Sequence, residues 1–429
     1  MKGRPARIAT IYMDDALQAL KEDPLSEGMY RPNYGGRGLA NLPSSIFDML
    51  SCRADGWPAL DGDVVPRGAH HSTVILFLVD AFGYSLFQDS LKKSPYLEKF
   101  ASLFPPAAVT TVFPSTTATA LTTLNTGVPP SRHGIVGYTM YLKEFGLIGN
   151  MLDFKAVTSP KDDSLFDKGL SPGGFLGVPT VHQRLREQGV ESYVVTKNII
   201  INSGLSRMVH TGAGIIGYAS LGDMFVQLRR LLERRAGRPK YVFVYWSAVD
   251  TVCHMYGPKT EEAASEVRSF FYSFHEEFLT RLSPRVRKDC AALLTADHGQ
   301  VRVDRVYDTH RDKELMDMLV IPPAGDSRVS FLHAKGGASE RMKLHIKKSR
   351  PSYLSMDVGE ALRSGLLGGT SPKAGLLDRL GEVVTIAGPN EATFYPFKDK
   401  VFPNKGAHSG LSEDELVVPL FYAPFGELR

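Results

Sequence analysis

Ser72-Thr-Val-Ile-Leu-Phe-Leu-Val-Asp80 is an unbroken β-branched and aliphatic run closed by an acid. Such a run reads as a strand buried on both faces, as in a parallel sheet covered by helices. Ala81-Phe-Gly-Tyr then turns into a helix ending near Phe100. Asp80 therefore stands at the carboxyl end of a central strand, where open α/β sheets bind ligands. Taken alone, it would serve equally well as the N-cap of that helix. Two further runs repeat the pattern. Lys240-Tyr-Val-Phe-Val-Tyr-Trp-Ser delivers Asp250 and His254 just past its end, and Ala291-Ala-Leu-Leu-Thr-Ala leads into Asp297-His298-Gly299. Glu415-Leu-Val-Val-Pro-Leu-Phe-Tyr-Ala reads as a last strand, with Gly406-Ala-His408-Ser-Gly in the loop before it.

A different signal lies at Val112-Phe-Pro-Ser-Thr-Thr-Ala-Thr-Ala-Leu-Thr-Thr-Leu-Asn-Thr-Gly127. Pro114 breaks the preceding extended run. Ala118, Leu121 and Leu124 then recur at helical spacing, and Gly127 with Pro129 and Pro130 ends the helix. Ser115, Thr116 and Thr117 are all candidate N-caps. A hydroxyl at that position sits among free backbone N–H groups, which favour an anion.

Composition narrows the class. A chain of 429 residues, 43% hydrophobic and 22% charged, suits one large α/β domain with an insertion, or two domains. The net charge of +4 gives no argument for nucleic-acid binding. Cys52, Cys253 and Cys290 show no metal-binding spacing and are odd in number, so a reducing compartment is the default and the expected location is cytoplasmic. No apolar run has the length to cross a bilayer, so no membrane association is expected. The sequence leaves the oligomeric state open.

Residues 1–70 read as an N-terminal extension packed on the core, with helices at Asp14 to Lys21 and Ser44 to Leu50. The core is expected to occupy 71–322 and 379–429. Helices are read at Val178 to Glu187, Phe225 to Arg235 and Glu261 to Leu282, with a short strand at Ser192 to Thr196. Four elements between core strands form a small α+β cap over 323–378: Ser327 to Ala334 and Tyr353 to Met356 as strands, Ser339 to Lys347 and Val358 to Ser364 as helices. Glu382-Val-Val-Thr-Ile-Ala is expected to rejoin the central sheet. His133, between Arg132 and Gly134, reads as a structural turn residue.

Asp80, Asp250, His254, Asp297, His298 and His408 thus gather at strand ends, with hydroxyls nearby. Asp250 and His254 share one face if their segment is helical. Each pair alone has a bland structural explanation, but the set supplies what two metal ions need at three Asp/His ligands each. Imidazole and carboxylate donors without thiolate favour zinc, with manganese possible.

The ordered set resembles the alkaline phosphatase superfamily, and within it the type I phosphodiesterase/nucleotide pyrophosphatase branch. The likeness rests on Val79-Asp80-Ala-Phe-Gly, Phe113-Pro-Ser-Thr-Thr117 through Gly127, Arg132-His-Gly-Ile, Asp250-Thr-Val-Cys-His254-Met-Tyr-Gly-Pro258, Thr295-Ala-Asp297-His298-Gly299 and Gly406-Ala-His408. It implies a three-layer α/β sandwich with a mostly parallel central sheet and a small α+β cap. Counting back from Gly127, it implies Thr117 as nucleophile, with Thr116 the runner-up. It assigns Asp250, His254 and His408 to one divalent metal, and Asp80, Asp297 and His298 with Thr117 Oγ to the other. The expected activity is two-metal hydrolysis of a small phosphorylated substrate, a phosphodiester or nucleotide pyrophosphate, through a phosphothreonine. The alternatives are a phosphomonoesterase, a phosphonate hydrolase, or an inactive binding protein of the same fold. Gly137-Tyr138 stands where diesterases of this branch usually carry an asparagine. Tyr138 and Asn150 are candidates for the missing phosphate contact.

Overall fold

The central sheet has seven strands. Their spatial order is Ala107–Thr110, Val417–Pro424, Cys290–Thr295, Thr73–Val79, Lys240–Trp246, Glu191–Lys197 and Gly214–Tyr218. This computed structural model describes residues 17–18, 20–54, 57–234, 237–397, 402 and 404–428. Thr73–Val79 lies in the middle, parallel to Lys240–Trp246 on one side and Cys290–Thr295 on the other. Val417–Pro424 runs antiparallel to both of its neighbours, so the sheet is mixed but mostly parallel. Both neighbours of the middle strand are buried along their whole length, as their apolar sequences require.

One face of this sheet is filled by phenylalanines. Phe77 of the middle strand meets the rings of Phe274 and Phe278 at 5.2 and 5.6 Å, and Phe100 meets Phe274 and Phe421, each at 5.2 Å. The helix expected over Glu261 to Leu282 is regular only over Glu261–Ser273. It continues as a π-turn at Phe274–Phe278 and a 3₁₀ turn at Leu279–Arg281. The wider turn falls where Phe274 and Phe278 are driven into the core, and burial of each ring is worth about 2–3 kcal/mol. The helix expected to run on to Phe100 is two helices, Tyr84–Leu91 and Pro95–Leu103, because Ser94 caps a new one with Pro95 in its first turn.

A second seven-stranded sheet has the order Leu354–Asp357, Val383–Ile386, Val329–Leu332, Ala324–Gly325, Thr139–Leu142, Leu147–Asn150 and Lys155–Ala156. Val383–Ile386 does not rejoin the central sheet. It pairs antiparallel with Val329–Leu332 and Leu354–Asp357, which cover its apolar residues on both edges. Thr139 bridges to Gly325, so segments far apart in sequence share this sheet.

The edge of the central sheet at Ala107–Thr110 is closed by residues before the core. Asn33 N donates to Thr110 Oγ1 at 2.7 Å, and Thr110 N donates to the Arg37 carbonyl at 2.9 Å. The helix expected over Asp14 to Lys21 begins outside the described residues; residues 17, 18 and 20–22 are helical. Among the described residues no helix is long and apolar enough to cross a membrane.

Gly299 shows how tightly the strand ends pack. A Cβ at that position would run into the backbone carbonyl of Asp414, and one on Gly83 would lie 2.6 Å from the Gly299 Cα. Neither neighbour is a side chain that can swing away. Gly299→Ala is expected to cost about 3 kcal/mol in chemical denaturation, at the upper end for an overpacked site.

Candidate functional site

Adjacent parallel strands in register end at the same edge of a sheet. Val79 is level with Trp246, and Leu78 with Thr295. Asp80, the turn carrying Asp250 and the Asp297-His298 pair are therefore brought together by strand pairing alone. Asp250 lies in the first turn of the Ala248–Tyr256 helix, with His254 in the next. Its Oδ1 is 3.3 Å from His254 Nε2 and 3.9 Å from His408 Nε2. Thr117 opens the Thr117–Thr126 helix, and Thr116 is its N-cap. Gly127 takes the left-handed conformation that ends it, at φ 69°.

The ligand-type atoms form two groups. Those of Asp80, Asp297 and His298 lie within 4.8 Å of one another, as do those of Asp250, His298 and His408. His298 belongs to both, and His254 adjoins the second through Asp250. His298 Nε2 stands 3.6 Å from Asp80 Oδ1 and 3.4 Å from Asp297 Oδ2. The Thr117 hydroxyl reaches the same nitrogen at 3.1 Å. The rings of His298 and His408 stack at 3.8 Å. All seven positions expected from the sequence thus meet in one place.

Each imidazole is oriented by a backbone carbonyl. Nδ1–H of His254, His298 and His408 donates to Gly406 O (2.8 Å), Gly299 O (3.1 Å) and Ser115 O (3.1 Å). A carbonyl can only accept, so Nε2 of each ring keeps its lone pair for a ligand. Burial pushes the His298 pKa down to about 3 and drives that of His408 well below the usual value, so both rings are neutral near pH 7. Burial raises the Asp80 carboxyl well above its usual range, helped by the charges of Asp297 and Asp250. Asp80 Oδ1 and Asp297 Oδ2 are buried without a hydrogen-bond partner among the described residues. Two orphaned carboxylate oxygens beside neutral imidazole nitrogens are an unfavourable arrangement that a cation relieves. The donor set therefore fits divalent metal ions.

Sequence reasoning missed the groups that hold these ligands. Tyr245 donates its hydroxyl to Asp80 Oδ2, and Gln300 Nε2 donates to Asp250 Oδ1 at 2.5 Å. The signal for Tyr245 was present, since a tyrosine inside a fully buried strand needs a partner for its hydroxyl. Tyr245→Phe is expected to weaken metal binding by about 10- to 100-fold, measured by titration of chelator-stripped protein, with little change in the fold. The His408 loop is anchored by a buried pair. Arg328 Nε and Nη2 donate to the Glu415 carboxylate at 2.6 and 2.9 Å, and Arg328 N donates to Ser409 Oγ at 3.2 Å. Against burial, the guanidinium holds the Glu415 carboxyl below its usual range.

His133 has the structural role read from its sequence. It is buried, with Nε2 2.9 Å from Thr123 Oγ1 and Nδ1 accepting from Ile135 N at 3.0 Å. Asn150 spends its side chain on its own turn, accepting from Leu152 N and Asp153 N and donating to Asp153. Tyr138 is partly exposed.

Solved structures of similar fold include murine ectonucleotide pyrophosphatase / phosphodiesterase 5, at TM-score 0.60 and 17% identity over 82% of this chain and 88% of that one. Phosphonoacetate hydrolase from Sinorhizobium meliloti 1021 in complex with phosphonoformate gives 0.60 and 20% over 81% and 89%. Human ectonucleotide pyrophosphatase / phosphodiesterase 5 gives 0.59 and 16% over 82% and 87%. No curated protein sequence matches the chain significantly. The family model described as Type I phosphodiesterase / nucleotide pyrophosphatase matches residues 74–409, a span that holds every ligand position described above. The chain belongs to that family and is a metal-dependent hydrolase of its kind.

Proposed function

We propose that this protein cleaves phosphodiester or nucleotide pyrophosphate bonds through a phosphothreonine formed on Thr117. The observation that carries the reading is the convergence of Thr117 Oγ1 with two groups of metal-ligand atoms that share His298. Asp80, Asp297, His298 and Thr117 would hold one divalent cation, and Asp250, His254 and His408 the other, zinc by the donor set and manganese as the second choice. When bound, such ions lower the pKa of a coordinated hydroxyl and stabilise charge on phosphoryl and leaving-group oxygens.

The residues of the chain do the rest. Thr117 sits where the first N–H groups of its helix lack intrahelical partners, and these would stabilise a bound phosphoryl group. Its oxygen forms the new bond to phosphorus, the ester P–O bond breaks with its electron pair on the leaving oxygen, and the threonine proton passes to solvent. Water then cleaves the phosphothreonine, returning the hydroxyl. A murine ectonucleotide pyrophosphatase / phosphodiesterase 5 structure in complex with AMP carries an inactivating threonine-to-alanine change, which supports a threonine nucleophile here.

A second reading, phosphonate hydrolysis on the same site, is favoured by the likeness to phosphonoacetate hydrolase. We assign residues 323–378 the role of a cap over the pocket. Three free cysteines support a reducing, cytoplasmic setting. Elemental analysis of purified protein should find about two equivalents of metal per chain. The loaded protein should hydrolyse bis-p-nitrophenyl phosphate faster than p-nitrophenyl phosphate or phosphonoacetate. Absence of metal and of all three activities would overturn the reading, and a preference for phosphonoacetate would select the second one.

A further inference from the structure

Thr116 is an N-cap threonine that does not cap. Its side chain makes no hydrogen bond to the backbone of the Thr117–Thr126 helix. The hydroxyl instead donates to Asp326 Oδ2 at 2.7 Å. Asp326 comes from the second sheet, in the turn between Ala324–Gly325 and Val329–Leu332, and its N–H closes that turn on the Val329 carbonyl. Its other oxygen accepts from Ser327 N at 2.6 Å. No lysine or arginine among the described residues forms an ion pair with it. Through that hydrogen bond the carboxylate is fixed beside the N-cap that immediately precedes Thr117. Burial raises the carboxyl pKa, and the donors on both oxygens pull against it.

A carboxylate bound to the residue that precedes the reactive threonine is costly for a dianion and cheaper for a monoanion. A phosphomonoester near neutral pH brings two negative charges to this place, and a diester brings one. We propose that Asp326 is a specificity-determining residue that disfavours dianionic phosphomonoesters and so makes the site selective for monoanionic diesters. Thr116 acts with it, orienting the carboxylate by its hydrogen bond. This inference rests on hydrolysis at Thr117. It adds that selectivity comes from repulsion of the wrong substrate as well as attraction of the right one.

The test compares kcat/KM for bis-p-nitrophenyl phosphate and p-nitrophenyl phosphate in the metal-loaded full chain. Asp326→Asn keeps the shape and removes the charge, and is expected to shift the ratio toward the monoester on the order of tenfold or more. Asp326→Glu is expected to retain the wild-type ratio. Asp326→Ser runs in parallel and should move the ratio in the same direction, should the amide variant prove insoluble. A purely structural role would lower both esters by one factor, and an equal change or no change in both overturns the inference. Thr117→Ala separates the two failures. If that variant still hydrolyses both esters, the assignment of Thr117 as the nucleophile falls. If it is inactive and Asp326→Asn leaves the ratio unmoved, only the Asp326 inference does.

Discussion

Thr117→Ala is expected to reduce kcat/KM for bis-p-nitrophenyl phosphate by on the order of 10⁴-fold or more, as removal of an attacking side chain does in other covalent hydrolases. Without the Thr117 hydroxyl, which meets His298 Nε2 at 3.1 Å, Asp80, Asp297 and His298 still gather as one metal group, and alanine favours helix. Metal content and thermal midpoint should therefore stay near wild type. Thr116→Ala is the informative companion. Its hydroxyl points away to Asp326, so turnover of the diester should fall far less. A Thr117→Ala protein that keeps its metal and its activity would exclude Thr117 as the nucleophile. Loss of activity in Thr116→Ala alone would place the nucleophile one residue earlier.

Removal of metal is expected to destabilise the fold, and the effect should grow with pH. Asp80 and Asp297 are held above their usual pKa, by burial first and in Asp80 by the neighbouring carboxylates next. An acid raised in the folded state gives metal-free protein a stability contribution that is complete below its unfolded pKa and is lost as pH rises through its folded pKa. Bound metal keeps the same oxygens ionised and compensated. His298 and His408 are already neutral and do not compete with the metal above acidic pH. The gap in thermal midpoint between loaded and chelator-treated protein should thus widen as pH rises above the ordinary carboxylate range. Each site contributes about 3 kcal/mol when free metal stands a hundredfold above its Kd. Scanning calorimetry from pH 5 to 8 (about the accessible range) checks it, and a gap that stays constant or narrows with rising pH would overturn it.

The buried strands were legible because both faces of each are covered, which leaves an apolar run that no other local structure explains. The acids and imidazoles at their ends were legible for the same reason, since a polar residue that stops such a run stands out. Of the second sheet, the strands at Thr139–Leu142, Val329–Leu332 and Leu354–Asp357 overlap runs that read as strands, but their pairing was not legible. Leu147–Asn150 and Lys155–Ala156 are too short to show alternation, and the bridge from Thr139 to Gly325 is set by tertiary packing. Val383–Ile386 carries the same apolar signature as a central strand, and only its partners tell the two apart. Gln300 and Asp326 escaped because their roles depend on which carboxylate or hydroxyl lies opposite, and spacing along the chain does not encode that.

The second sheet also bears on how new specificities could arise on this scaffold. Its strands come from both sides of the Cys290–Thr295 strand in the chain, and the turn bearing Asp326 hangs from that weave. Grafting residues 323–378 from a homologue as a cassette would strand Thr139–Leu142 and Val383–Ile386 without their natural neighbours. Divergence by point changes in the hairpin turns, or by exchange of both halves together, is the route the topology leaves open.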